Sequence, residues 1–415
     1  MENLNNNQKG FVITLIVFFI LLIMISVALS MSSLAFYRQK ITNDVVKSTQ
    51  AYYTAESGIE DSLLRLNNDS QMPPLSYSLT VNNSTADVVI PAIIGGSRSI
   101  SSQGNNSGLI KTTQVVYAID AQGVSFHYGA QVGAGGLSMS NSSRIIGSVF
   151  SNGNISGSTS TMIDNDVIIS GNGNRLDEVH VKGNVLAYSC SNSIIDGNLT
   201  YVVGGTNNCT VSGTTSVQSG EIAPQSLPIS QSQIDDWKSD AEAGGTTGDI
   251  SLSGTQTMSL GPKKITGNLS LSNSAVLTLT GTVHVTGNIT ISNSAKIKLD
   301  STYGSLSGVI LSDGNISSSN SSVLQGSGQA GSYLLVFSTN TSNSAISINN
   351  SASGAIFYAS AGGITVSNSF SAREVTAYKL IMSNSATITY ESGLANVFFS
   401  SGPAGGWKVI SWEEK

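Results

Sequence analysis

Hydrophobic and polar positions fall into three regimes along the 415-residue chain. Residues 11–36, Phe11 to Phe36, form an almost uncharged run of 26, longer than the ~20 needed to cross a bilayer core. Over 37–66 the apolar positions thin to Ile41, Val45, Tyr52, Ala55, Ile59, Leu63 and Leu66. Their steps sit at or near multiples of three and four, the period of an amphipathic helix. Asp61 and Arg65 stand four apart, acid first, which supports it. No proline interrupts 11–66, so one continuous helix about 84 Å long is expected at ~1.5 Å per residue. Asn67, Asn68, Asp69 and Pro73-Pro74 end it. Short alternating stretches follow at Ser76–Val81, Ala86–Ile90, Ser97–Ser101 and Leu109–Ile119, with turns at Gly95-Gly96 and Gln103–Ser107. They predict a small β-sheet domain over 67–122.

From residue 128 the pattern repeats. Gly267-Asn268-Leu269 falls on Gly287-Asn288-Ile289 at an offset of 20, and Ser272-Asn273-Ser274-Ala275 falls on Ser292-Asn293-Ser294-Ala295. Leu277 and Leu279 fall on Ile297 and Leu299, and weaker copies begin at Gly153, Gly183, Gly197, Gly314, Ser342, Ser367 and Ser383. Apolar residues alternating in twos make short strands with one face buried. Gly-Asn and Ser-Asn-Ser make corners, because Gly and Asn tolerate left-handed backbone. Three strands and three corners per 20 residues predict an all-β, right-handed parallel β-helix over 128–405. A single coil cannot bury its own face, so only the stack is stable. Stacked corner asparagines would form hydrogen-bonded ladders. With an insert set aside, about twelve coils are expected at the ~4.8 Å spacing. A β-sandwich would not give a strict 20-residue offset.

The insert spans about 221–250. It carries a helix predicted over 232–243 with a serine cap and a Gly-Gly stop, and Ile234 and Trp237 are expected to pack on the coils. The last segment, 406–415, with Trp407 and Trp412, is expected to cap the exposed strand edges at an end of the stack; a sugar-binding aromatic platform is the alternative.

Composition narrows the function. Only 11% of residues are charged and the net charge is −6, which excludes a basic nucleic-acid footprint. Three His and two Cys leave little room for metal chemistry, and no cofactor is expected. Asp164 and Asp166 are the close carboxylate pair outside the insert, with Arg175 and Asp177 in an adjoining coil. They read as surface corners rather than the paired carboxylates of a glycosidase or a calcium site. The insert acids Asp235, Asp236, Asp240 and Glu242 read as a solvated helix face, with a cation or partner site as the alternative. His127, His180 and His284 have no ligand spacing and read as surface residues. Gly133–Gly136 lacks the Lys-Ser/Thr of a phosphate loop. Cys190 and Cys209, 19 apart, suit neighbouring coils and a disulfide; two small buried hydrophobes are the alternative.

The junction Gln8-Lys9-Gly10-Phe11 resembles the leader junction of type IV prepilins: a short polar leader, a basic residue, glycine, then phenylalanine opening an apolar helix. Ala51 to Asp61, containing Ala55-Glu56-Ser57-Gly58, is similar to the corresponding region of PilX-type minor pilins. The resemblance covers about residues 8–66. It implies a leader at 1–10, cleavage after Gly10 by a prepilin peptidase, a new N-terminus at Phe11, and a pilin-like helix over 11–66 that spans the membrane at 11–36. Lys9 is the basic residue of that junction. It also implies other pilin subunits and the inner-membrane bilayer as partners, and a bulk outside the cytoplasm. The flanking charges, Lys9 before the span and Arg38 and Lys40 after it, lean slightly against that orientation. Most major pilins carry Glu five residues into the mature chain; here that position is Leu15, which points to a minor pilin. The expected role is structural, not enzymatic: a subunit serving assembly, capping or adhesion, with a surface polysaccharide as a candidate target. A membrane-anchored polysaccharide lyase or hydrolase, or an adhesin outside any pilus, are the rivals.

Overall fold

The computed structural model describes residues 6–68, 72–92, 97–119, 121–350, 353–402 and 407–415. The chain divides into two compact units, a long helix with a small antiparallel sheet and a large all-β unit built from parallel-paired strands.

In the first unit α1 (Asn6–Asn68) is one unbroken helix of 63 residues. Its C-terminal half packs on a five-stranded sheet whose order is β1 (Leu75–Val81), β2 (Ser84–Ile90), β3 (Ser97–Asn106), β4 (Leu109–Ile119), then the C-terminal strand Trp407–Glu414. Ala51, Ala55, Ile59 and Leu66 are buried along one stripe of the helix, opposite Ala86, Val88 and Ile90 of β2. The approach is close enough to need glycine. A Cβ on Gly104 would fall 2.0 Å from the Ala51 carbonyl oxygen. Arg65 donates to Asp61 at 2.7 Å and lies over the Tyr77 ring, 4.5 Å from its centroid. Burial works against the Asp61 carboxylate, but hydrogen bonds from Arg65 and Tyr77 outweigh it and hold Asp61 below the usual range.

Two expectations change here. The turn placed at Gln103–Ser107 is strand for most of its length, since Gln103, Gly104 and Asn105 pair with Asp87, Ala86 and Thr85; polar composition hid an edge-to-edge register. The segment 406–415 does not cap the coils: its strand joins the small sheet, where Lys415 N–H donates to the Thr112 carbonyl and Lys111 pairs with Glu414. Gly95-Gly96 lies outside the described residues.

In the second unit the 20-residue offset is the strand register: Leu269 pairs with Ile289, Leu271 with Ile291, Leu277 with Ile297 and Leu279 with Leu299, all parallel. Coil length varies, from 14 residues between Leu176 and Cys190 to 30 between Ile316 and Ile346. The order of the levels does not follow the sequence. Down one face the partners run Ile250, Leu269, Ile289, Ile316, Ile346, Ile364, Leu380, then Leu137, Ile155, Leu176, Cys190, Asn207. Those are twelve levels among the described residues. The chain enters at Ala130 in the middle and coils to one end at Gln218. It crosses over to the other end at Thr246, then coils back until Glu374–Met382 pairs with Ala130–Met139. The expected insert is therefore a crossover between the ends of the stack. On the face where it begins and ends, from Gln218 to Thr246, there are twelve intervals of ~4.8 Å, so it covers about 58 Å.

The crossover holds α2 (Gln231–Ala243), capped by a reciprocal Ser230–Gln233 box. It builds a second core on the outer face of one sheet. Ile234 and Trp237 pack with Leu311, Phe337 and Tyr358 from the coils and with Phe399, whose ring lies 5.9 Å from Trp237. Strands Gly308–Ser312 and Leu334–Ser338 are consequently buried on both faces.

The corners obey simple rules. In Ser272-Asn273-Ser274-Ala275 the two central residues have φ of 53° and 71°, and Ala275 N–H returns to the Ser272 carbonyl. This is a turn with both central residues left-handed, and it points Ala275 into the core. Asn141, Asn273, Asn293, Asn320, Asn350, Asn368 and Asn384 form a continuous amide ladder that passes the break in sequence, with Asn384 to Asn368 at 2.9 Å and Asn141 to Asn384 at 2.9 Å. Ser342-Asn343-Ser344-Ala345 belongs elsewhere. It sits over the Gly-Asn corner, where the Ser342 hydroxyl donates to Asn315.

Candidate functional site

The largest chemically unusual surface is α1 itself. Side chains from Phe11 to Phe36 are exposed; Phe11 is 70% exposed and Leu15 44%. An apolar surface of this extent cannot stay in water and marks contact with lipid or with other apolar helices. Among the described residues one helical stretch, Phe11–Asn67, is long and apolar enough to cross a membrane. It is a candidate anchor. Lys9 and Gly10 lie in the first turns of α1, continuous with Phe11.

The residues proposed for chemistry do not converge. Asp164 is held by a paired contact from Arg144, with Lys182 at 3.6 Å. Burial opposes its charge, but the Arg144 hydrogen bond leads in outweighing it, and the carboxyl sits below its ordinary range. Asp166 is a rung: its Oδ1 accepts the Asn184 N–H, Asn184 accepts from Asn198, and Asn198 from Thr214. Asp249, Asn268 and Asn288 do the same in the other run of coils. Arg175 reaches Asp177 at 3.8 Å, and Asp177 also accepts from Ser191. Of the insert acids, Asp235 accepts from Gln231, Asp236 from Gln122 and Glu242 from Lys264. Among the described residues no three His, Cys, Asp or Glu side chains gather as metal ligands.

His127 is exposed and His180 meets Asp196 at 3.1 Å. His284 is not on the surface as expected. It is buried, with Nε2 2.7 Å from Asp313, which also receives Lys238 of α2 at 2.6 Å and Thr339 at 2.7 Å. This polar knot fastens the crossover to the coils. Burial works against the Asp313 carboxylate, and Lys238 first among its partners holds it below its usual range.

Concavities of the coil unit are the other candidates. A cleft of about 340 Å³ is lined by Gln325, Tyr333, Arg373 and Glu391; Arg373 pairs with Glu391 at 2.8 Å, and the Tyr333 hydroxyl donates to the same carboxylate. Among the described residues its lining holds one carboxylate, Glu391, already engaged in that ion pair, where a glycosidase site needs two. A shallow groove of about 820 Å³ follows the asparagine ladder and is lined by amides and hydroxyls. Sequence reasoning missed Glu374. It is buried, accepts from Thr376 at 2.6 Å, and leaves Oε2 without a partner among the described residues. Burial pushes its carboxyl well above the usual range. Its neighbours Arg373 and Val375 gave no signal of burial on the outer face.

Cys190 and Cys209 are joined in a disulfide with Cα atoms 5.8 Å apart. They are not stacked partners: Cys190 pairs with Asn207, and the strand bulges before Ile194 meets Thr210. The bridge ties the terminal coil to the level beneath it.

No family model and no curated protein matches the chain. Among solved structures it is similar to the competence-associated pilin ComZ from Thermus thermophilus, at 11% identity and a TM-score of 0.24, over 89% of this chain and 98% of that one. A superposition this loose leaves the assignment to the chain's own sequence and geometry.

Proposed function

We propose that this chain is a minor subunit of a type IV pilus-like system. It is cut between Gly10 and Phe11 by a prepilin peptidase and held in the inner membrane by residues 11–36. From there it assembles through that helix with other pilin subunits. The all-β unit is read as a right-handed parallel β-helix carried outside the cytoplasm, with a role in assembly, capping or adhesion rather than catalysis. The observation that carries this reading is a single one. An uninterrupted helix carries Lys9-Gly10-Phe11 in its first turns, leaves its apolar stretch from Phe11 to Phe36 bare, and lays its C-terminal half on a small antiparallel sheet. The structural rather than catalytic role is supported by the carboxylates of the coils, which are engaged in ion pairs and ladder rungs.

Leu15 stands where a major pilin has Glu, so a charge pairing with a neighbouring subunit is missing. Low copy number follows, with placement at a tip or in an initiation complex. Immunogold labelling of sheared filaments is expected to mark ends or nothing along the shaft. Uniform decoration of the filaments would contradict the minor-subunit reading.

A further inference from the structure

Within the coil unit the asparagine ladder is also the floor of a groove. The concavity follows one corner of the coils from Asn320 through Asn350, Asn368 and Asn384 to Asn141, and ends at Thr159. Those are six levels, so at ~4.8 Å per level the track is about 24 Å long. The segments by which the chain enters and leaves this unit, Ala121–Val124 and Val397–Ser400, pack on another face, against the strands that carry Leu311 and Phe337. Two features of the track exceed what a turn needs. The first is spare hydrogen-bonding capacity. Each interior amide of the ladder spends one N–H on one neighbour and one lone pair on the other. That leaves a second N–H and a second lone pair at each level. Beside them the hydroxyls of Ser321, Ser369, Ser385 and Ser142 are exposed and make no hydrogen bond among the described residues.

The second feature is the choice of serine. Ser321, Ser369, Ser385 and Ser142 hold φ of 59–61°, where glycine has no steric cost and serine does. A corner serving the turn alone would favour Asn-Gly. Here the hydroxyls are kept at a cost to the backbone, in a row whose direction the turns fix. What the row fits follows from its chemistry. Its lining carries no charged side chain, so it draws no polyanion. It carries no aromatic or large apolar side chain either, so neither a nucleic-acid base nor an apolar peptide gains from lying on it. What remains is an uncharged chain with donors and acceptors repeated along its length. The spacing of the levels is close to the advance per sugar of an extended pyranose chain, so successive sugars meet successive levels.

We propose that this corner binds an unbranched, uncharged polysaccharide laid along the coils, whose hydroxyls exchange hydrogen bonds with the spare amide groups and the serine hydroxyls. The inference deepens the adhesive role given above and rests on that reading for its setting. Binding by the purified chain depends neither on cleavage after Gly10 nor on a place in a filament, so either claim can fail alone. Hydrogen bonds in contact with water are weak singly, so affinity comes from their number and grows with the length of the sugar chain.

In the test the full chain, in a detergent without sugar, is titrated with oligomers of β-1,4-glucose, β-1,4-mannose and β-1,3-glucose from the dimer to the hexamer. Galacturonate oligomers of the same lengths are the anionic counterpart. For at least one neutral series the Kd is expected to fall about tenfold from dimer to hexamer, the worth of one or two such hydrogen bonds, with no matching gain for galacturonate. Ser321→Gly, Ser369→Gly and Ser385→Gly together remove hydroxyls and keep the turns, since glycine suits that backbone. The triple variant is expected to raise the hexamer Kd about fivefold with no loss in Tm. Absence of binding in all three neutral series would overturn the proposal, and would do so equally if another part of the chain covers the corner. Binding that the triple variant leaves unchanged would also overturn it, by putting the sugar elsewhere. So would tighter binding of galacturonate than of every neutral series.

Discussion

Glu374 is the residue whose surroundings contradict its chemistry most. A carboxyl with one partner and one orphan oxygen, shut away from water, holds its proton in the fold and releases it when unfolded. Its folded pKa lies above the unfolded value, so the cost is absent below about pH 4 and grows as pH rises past the unfolded carboxylate range. Glu374→Gln is expected to match the parent in acid and to be more stable at neutral pH. The gap should widen by up to about 1.4 kcal/mol per pH unit, read as Tm against pH. A Tm difference independent of pH would show that Glu374 is solvated. Cys190–Cys209 gives a second residue-scale test: thiol titration of denatured, non-reduced protein should find no free thiol, whereas two would return these cysteines to plain core filling. The corner residues were legible because Asn-Ser pairs have few backbone options and repeat every coil. His284 and Asp313 were not, because Lys238, which meets Asp313 from the crossover, is placed there by no local pattern; Glu374 was not, because nothing in its own strand marks the outer face as covered.

At the scale of elements, α2 was readable to within a residue and the C-terminal end of α1 to within two, since a helix is specified by its own sequence, whereas α1 begins at Asn6, five residues before the expected start. The strands of the small sheet were harder. Gln103 to Asn106 look like a turn, and pairing with β2 makes them strand. The same strand contains the tightest helix contact in the first unit. Gly104→Val would drive a side chain into the Ala51 carbonyl, which is backbone and cannot rotate away. Overpacking of this kind costs about 3 kcal/mol. Urea unfolding of the detergent-solubilised protein should show a lower midpoint with an unchanged slope. Gly108→Val is the contrast in space, since nothing lies near that Cβ, although its positive φ adds local strain. Equal loss at both positions would mean that Gly104 is required for backbone freedom and not for close approach.

For the whole molecule, the sequence carried the repeat but not the order of the levels. A 20-residue offset says that neighbouring copies stack; it is silent on which copy begins the stack, because each coil is specified by its nearest neighbours alone. The crossover is what reorders them, and it reads as an ordinary helical insert until its two ends are found at opposite ends of the coils. The first unit carries the functional claim, and one measurement bears on it most directly: the intact mass and N-terminal peptide of the protein extracted from membranes of cells with an active prepilin peptidase. The account predicts a chain beginning at Phe11, with residues 1–10 absent and the new amine methylated. Protein that still begins at Met1 in those cells would contradict it.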